Sequence, residues 1–346
     1  MTHSEATMRL TLTNDLTTAR LQPHGVCLLL LSAVLVGCDG QQSALNPAGA
    51  GAQSIATLFW WMAGGALVIW LVVMGIALYA TQAHPEAHGI RSARWLIIGG
   101  GIIFPVVVLT GLLIYGLMLM PQLRSAENVA LRVDVSGEQW WWRVRYRTDA
   151  GEAVELANEI RLPVGERVAF SLTSPDVIHS FWIPSLGGKV DMIPGRVNEL
   201  VLEPTETGTF RGACAEYCGT SHALMNFAVV VMTREAFDQW LAEQAEPAQQ
   251  PETELQQVGQ QAFLANGCGA CHQVRGTAAD GTVGPDLTHV GSRLTLAAGT
   301  LPADVDAFRR WIGHSSAIKP DVKMPAFGML PEAQLSAMAH YLKGLE

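Results

Sequence analysis

The sequence predicts a multidomain chain made of a two-helix transmembrane hairpin, an all-β sandwich and a small all-α domain. Three observations carry that reading. Two long apolar runs lie near the N-terminus, while the rest has the composition of soluble protein. Short apolar stretches of β-branched and aromatic residues, punctuated by Gly and Pro, follow from Val129 to Thr233. A polar Gln/Glu/Pro/Ala-rich stretch then leads into a last segment of helical pattern that carries a Cys-x-x-Cys-His run. At 346 residues the chain is long enough for two or three modules. The expected limits are 1–37 for a signal peptide, 38–124 for an N-terminal segment and the hairpin, 125–241 for the sandwich, 242–254 for a linker and 255–346 for the helical domain. A net charge of −9 argues against nucleic acid as a partner.

Residues Val26 to Val36 are apolar and follow Arg9 and Arg20. The run is too short to span a bilayer and fits a signal-peptide core. Met8 as the start would give a signal of more usual length. Leu35-Val36-Gly37-Cys38 resembles the lipobox of bacterial lipoproteins, with Cys38 as the acylated residue. The alternative is an ordinary signal-peptidase site with Cys38 incidental. Residues Ile55 to Ala80 and Trp95 to Met120 are each uncharged and long enough to cross a membrane. The polar loop between them, Thr81 to Arg94, contains Arg91 and Arg94, so the positive-inside rule puts it in the cytoplasm. Everything after Arg124 is then expected outside. Trp60, Trp61, Trp95 and Tyr115 sit near span ends, where interfacial aromatics collect.

Within the β region, alternation at Val133–Val135, Ile160–Leu162 and Val168–Leu172, with apolar runs at Leu200–Leu202 and Ala228–Met232, predicts strands. The region ends in Cys214-Ala-Glu216-Tyr-Cys218-Gly-Thr-Ser-His222-Ala-Leu-Met225. Thiolate, imidazole and thioether are the ligands that copper selects. A single-copper electron-transfer site uses one cysteine; a second thiolate allows two copper ions to be bridged. A second histidine is still needed, and His179 is the candidate. A disulfide between Cys214 and Cys218 is one alternative; zinc is another, which the thioether argues against. Of Trp140, Trp141 and Trp142, alternation along a strand allows two to face the core and leaves one at the surface.

In the last segment, Cys268-Gly-Ala-Cys271-His272 is a c-type haem attachment motif, with both cysteines bonded to the macrocycle and His272 on the iron. Zinc would need further ligands, for which His289 and His314 are poorly spaced. The run Glu332 to Leu345 is amphipathic and predicts a closing helix.

From about Ser54 to Trp240 the chain resembles cytochrome c oxidase subunit II. The resemblance rests on the 214–225 loop, on Asp176-Val-Ile-His179-Ser and on Pro184-Ser-Leu-Gly-Gly-Lys189-Val-Asp191-Met-Ile-Pro194-Gly-Arg196. It implies a cupredoxin-like sandwich holding the binuclear copper centre CuA. The implied ligands are His179, Cys214, Cys218, His222 and Met225, with Glu216 binding through its carbonyl. It also implies a magnesium ion held partly by the Glu216 side chain against subunit I. The Gln139-Trp140-Trp141-Trp142 segment resembles the place where electrons enter; the resemblance maps it to Trp140, with Trp141 as the neighbouring alternative. Lys323-Met324-Pro325-Ala-Phe327 resembles the distal segment of class I cytochromes c, which makes Met324 the sixth ligand, with Met329 as competitor. Gly284-Pro285 resembles the proximal segment, whose proline carbonyl accepts a hydrogen bond from the haem histidine. The whole resembles the caa-type oxidases, in which a haem c domain is fused behind the copper domain.

The implied activity is that of an electron-transfer subunit in a respiratory terminal oxidase of the bacterial inner membrane, with both soluble domains on the periplasmic face. Electrons would come from an external donor such as a cytochrome c, reach haem c, pass to copper and leave for subunit I, where oxygen is reduced. Other oxidase subunits and the membrane are the remaining expected partners. Nitrous oxide reductase shares the copper loop but lacks the hairpin, and quinol oxidases lack the ligands. The rival from another class is a membrane-anchored copper and haem carrier attached to no oxidase. One departure stands out: aligned on Pro105, the family's glutamate and tryptophan of the second span are Ile98 and Gly101 here, which leaves the proton route open. Glu86 in the cytoplasmic loop is a substitute by position.

Overall fold

A computed structural model describes residues 40–83, 89–124, 128–147 and 153–346. The expected signal peptide with Cys38, and Glu86, lie outside the described residues. Helix α1 (Ala50–Leu78) widens into a π turn at Tyr79–Ala83. Helix α2 (Ile90–Ile98) continues through a π turn at Gly99–Ile103 into α3 (Phe104–Arg124). The stretches Ala50–Gln82 and Ile90–Pro121 have mean hydropathies of 2.2 and 2.5, and their apolar cores are unburied. A helix apolar all round with no protein against it suits lipid.

Both helices start earlier than the apolar runs. In α1 the cause is a weld to the sandwich. The Ala50 and Ala52 amides donate to the Glu203 and Leu186 carbonyls at 2.9 and 3.3 Å, and Ala52 and Ala56 are buried. A Cβ at position 49 would sit 2.5 Å from the Leu186 oxygen, so only glycine allows this approach. In α2, Arg91 and Arg94 lie inside the helix rather than in the expected loop. Charge ends a hydropathy run but not a helix.

The sandwich has two five-stranded sheets. The first contains β1 (Leu131–Glu138), β2 (Trp141–Arg147), β3 (Ala153–Ala157), β5 (Val168–Thr173) and β8 (Asn198–Leu202), in the order β3-β2-β1-β5-β8. The second contains β4 (Glu159–Pro163), β6 (His179–Trp182), β7 (Val190–Met192), β9 (Gly208–Cys214) and β10 (Asn226–Met232), in the order β4-β10-β9-β6-β7. Strands β1 and β5, like β4 and β10, pair in parallel. Alternate residues fill the space between the sheets, among them Val133, Val135, Val144, Phe170, Leu172, Ile160, Leu162, Val229 and Val231. At the centre the Phe181 and Phe227 rings stack at 4.9 Å, with Trp142 edge-on to both. Such pairs add about 0.5–1.5 kcal/mol each beyond burial. Helix α4 (Arg234–Ala245), capped by Thr233, closes one end with Phe237 and Trp240 against Tyr146.

The last domain packs α5 (Glu254–Ala265), α6 (Val305–Ile318) and α7 (Glu332–Lys343) around Phe263, Phe308, Leu335 and Tyr341. A capping box of Thr253 and Gln256 starts α5. Helices α5 and α7 touch backbone to backbone at Gly259, where a Cβ would lie 2.0 Å from the Ala337 oxygen.

The stretch expected as a linker, 242–254, is held in place at its N-terminal end. Helix α4 extends to Ala245, Ala248 is buried, and its amide donates to the Arg275 carbonyl at 2.9 Å. Arg275 and His289 bond the carbonyls of Gln244 and Glu246. Composition gave a coil because these bonds come from residues distant in sequence. The two soluble domains also meet directly. The Leu294 amide donates to Glu159 Oε2 at 2.9 Å, and Arg143, paired with Glu138 and Glu155, reaches the Thr282 carbonyl at 3.1 Å.

Candidate functional site

Strands β9 and β10 are antiparallel neighbours, and the loop between them carries the motif. The Cys214 amide donates to the Met225 carbonyl at 2.9 Å, which closes the loop at its ends. His222 opens a single 3-10 turn inside it. His179 is the first residue of β6, which pairs with the end of β9. Adjacent strand ends thus bring together residues far apart in sequence.

The donor atoms converge. Cys214 Sγ lies 3.8 Å from Cys218 Sγ, 3.8 Å from His179 Nδ1 and 3.2 Å from the Glu216 carbonyl oxygen. Cys218 Sγ lies 3.5 Å from His222 Nδ1 and 3.9 Å from Met225 Sδ. Both thiols are free, and their separation is well beyond the about 2.05 Å of a disulfide. Two thiols, two imidazoles, a thioether and a carbonyl around one buried volume form a donor set suited to copper.

The electrostatics of the donor groups are coupled. The neighbouring Cys218 thiol, then His179, lower the Cys214 thiol well below its ordinary value. The Cys214 neighbour, then burial, push Cys218 upward, and a metal that binds thiolates displaces protons from such a pair. Burial depresses the His179 pKa, but hydrogen bonds to Cys214 and Asp176 outweigh it and raise it. Asp176 Oδ1 bonds His179 Nε2 at 2.9 Å, which leaves Nδ1 for the thiol side. Asp176 is itself held by the amides of Gln139 and Val177 at 2.8 and 2.7 Å. The Glu216 side chain points outward, with Lys189 Nζ 3.9 Å away.

The tryptophans divide as strand alternation requires. Trp140 and Trp142 are buried and Trp141 is half-buried. Trp142 belongs to the core. The Trp140 indole N–H donates to the Cys218 carbonyl at 3.0 Å, and Gly219, at φ +112°, lies against its ring. Trp141 lies under the Arg143 guanidinium, 4.6 Å from the ring centre.

In the helical domain Cys268 and Cys271 bracket a 3-10 turn, and His272 follows. His272 Nδ1 lies 2.8 Å from the Pro285 carbonyl. A carbonyl can only accept, so Nδ1 carries the proton and Nε2 is free. Burial lowers the His272 pKa against that hydrogen bond and favours the neutral, ligating form. Gly284 lies over the ring, where a Cβ would come 2.6 Å from Cε1. Met324 is half-buried, with its carbonyl bonded by Ser315 Oγ at 3.0 Å; Met329 is 78% exposed. A free imidazole nitrogen, two free thiols and a half-buried thioether fit a covalently attached haem. Both ring nitrogens of His289 bond carbonyls, which removes it as a ligand candidate.

One residue next to this site carries no sequence signal at all. Lys319 of the helical domain is 2% exposed and lies against the copper loop. A lone lysine in a polar stretch reads as surface.

Comparison with known proteins agrees with both halves. A family profile described as cytochrome c oxidase subunit II, periplasmic domain, matches residues 148–232, and one described as cytochrome c matches residues 256–346. A protein named cytochrome c oxidase subunit 2 from Alkalihalophilus pseudofirmus is 31% identical over 344 residues, 92% of this chain and 96% of that one. A protein of the same name from Bacillus subtilis is 36% identical over 233 residues, 64% of each chain. Among solved structures, the periplasmic domain of subunit II of cytochrome oxidase from Bradyrhizobium japonicum is 32% identical, covering 35% of this chain and 97% of that one with a TM-score of 0.33.

Proposed function

Because this chain belongs to the cytochrome c oxidase subunit II family, in a form carrying a C-terminal cytochrome c domain, we propose that it passes electrons from haem c to a binuclear copper centre and on to oxidase subunit I. His179, Cys214, Cys218, His222, Met225 and the Glu216 carbonyl hold the copper. Cys268, Cys271, His272 and Met324 hold the haem. When bound, the two groups supply one-electron centres that change charge with little movement of their ligands.

The chain's own residues do three things. Buried His179 and Cys214 on the ends of β6 and β9, with buried Cys218 and Met225 and half-buried His222 on the loop that follows, fix the metal position and limit access of water. The Pro285 carbonyl orients His272. Trp140 and Trp141, on the side of the sandwich facing the helical domain, offer aromatic groups between the centres. The exposed Glu216 carboxylate is placed to share a magnesium ion with subunit I. The hairpin crosses the bacterial inner membrane with both soluble domains on the periplasmic face, where an external carrier such as a cytochrome c reduces the haem.

The convergence of six soft and neutral donors beside the docked haem domain carries this reading. Purified oxidase should show a mixed-valence signal from two copper ions shared in this subunit, a c-type haem, and, after a flash, haem c oxidation matched in time by reduction of the copper centre. Zinc at this site, or one copper at full occupancy, would overturn the binuclear assignment; copper reduced before haem c by the external carrier would overturn the order.

A further inference from the structure

Lys319 ends α6 in the helical domain, and its side chain is buried in the seam with the sandwich. Its Nζ donates to three main-chain carbonyls: Trp140 at 2.6 Å, Leu224 at 2.9 Å and Ala297 at 3.1 Å. An ammonium has three protons, and here each has an acceptor. Two of these acceptors support the copper loop. Leu224 precedes Met225, and Trp140 bonds the Cys218 carbonyl through its own ring. The chain after Lys319 continues along the same loop. Pro320 O accepts from Ser221 Oγ at 2.6 Å, and Asp321 Oδ2 accepts from Thr220 Oγ1 at 2.6 Å. Met324 lies just beyond.

We propose that Lys319 is a positioning residue for electron transfer: its caged ammonium latches the Met324-bearing segment of the haem domain onto the copper loop and places a fixed positive charge beside the copper thiolates. This rests on the reading that haem c is oxidised by the copper centre. The step moves one electron, haem iron losing it and the copper pair gaining it, with no proton or other reactant required. Two consequences follow. The haem segment is held against Thr220 and Ser221 by hydrogen bonds. The lysine charge, within electrostatic reach of Cys218, favours the reduced copper centre, which carries one positive charge fewer. Burial pulls the Lys319 pKa down and the neighbouring Cys218 opposes it; hydrogen bonds from all three protons to carbonyl oxygens favour the charged form. The loss of even one partner would leave buried polar groups unpaired, which makes the latch specific to this docking.

The test uses the complete oxidase with Lys319→Met and, separately, Thr220→Val, a mild change at the exposed edge of the same contact. Redox titration of copper followed by its optical band, and flash-induced haem c oxidation with copper reduction, are measured for each. Lys319→Met should lower the copper potential and slow haem-to-copper transfer, with both centres' spectra retained. Thr220→Val should slow transfer less and leave the potential unchanged. If the wild-type complex shows no haem-to-copper step, the underlying electron order fails. If that step is present and Lys319→Met keeps both its rate and the copper potential, the latch fails. Should Lys319→Met not assemble, an unaltered rate in Thr220→Val overturns the proposal.

Discussion

The indole nitrogen of Trp140 donates to the main-chain carbonyl of Cys218 at 3.0 Å, so the aromatic ring is bonded directly to the backbone of a copper-loop cysteine. Trp140→Phe keeps a ring and loses this bond, at a cost of about 1 kcal/mol. Trp140→Leu also removes the ring. Haem-to-copper transfer, followed after a flash, should slow in Trp140→Leu while both spectra persist. An unchanged rate in Trp140→Leu, in Trp141→Leu and in the double variant would reject the aromatic route.

Cys218 lies within 3.9 Å of the Cys214, His222 and Met225 donor atoms. Cys218→Ser replaces one of the two thiols at the centre of the cluster with a poor copper ligand. The mixed-valence electron paramagnetic signal should disappear and the haem c band remain. Survival of that signal would mean that the second thiol does not bridge.

Asp176 orients His179 through Nε2 while two backbone amides orient Asp176. Asp176→Asn should weaken copper retention about 10–100-fold, as such supporting carboxylates do elsewhere. Competition with a chelator measures it. Retention equal to wild type would show that β-sheet packing alone fixes the imidazole.

Met324 and Met329 compete for the haem iron. The half-buried Met324 follows the segment that lies on the copper loop, whereas Met329 is exposed. Met324→Ala should abolish the thioether-to-iron absorption near the red end and lower the haem potential. Met329→Ala should alter neither, and the reverse pattern would reassign the ligand.

Most of the site could be read in the sequence because its residues fall in short, regularly spaced runs. Cys214 to Met225 is one loop, and Cys268 to His272 is one turn. The membrane hairpin was legible for a similar reason, since lipid demands a long uncharged run and little else. Strands at Val133–Val135 and Val168–Leu172 followed from alternation and the one at Ala228–Met232 from its apolar run, but β3, β6, β7 and β9 carry Gly or polar residues and were missed. What stayed hidden was long-range pairing. Asp176 was visible as part of a motif, but its bond to His179 Nε2 was not. Nothing near Lys319 marks it as buried, because its three partners come from Trp140, Leu224 and Ala297. The linker was misread for the same cause: Gln244 and Glu246 look like solvated coil until Arg275 and His289 arrive from the next domain.

The docked linker changes what salt should do. A haem domain on a flexible tether would find the copper domain through surface charge, and screening would slow that search. Here the central contact is the Lys319 ammonium, sealed at 2% exposure among three carbonyls that carry no net charge. Ions reach only the rim, where Lys323 stands 3.8 Å from Asp176 with 70% of its side chain exposed. Raising ionic strength from 0.1 to 1 M shortens the screening length from about 10 to about 3 Å, which affects exposed pairs and leaves buried ones nearly untouched. Intramolecular haem-to-copper transfer should therefore stay almost constant across that range. Reduction of haem c by a charged external carrier, a diffusional encounter, should change steeply over the same range. Flash-induced transfer and stopped-flow reduction on one preparation separate the two. If the intramolecular step fell with salt as steeply as the external one, surface charge rather than the carbonyl cage would be holding the haem domain in place.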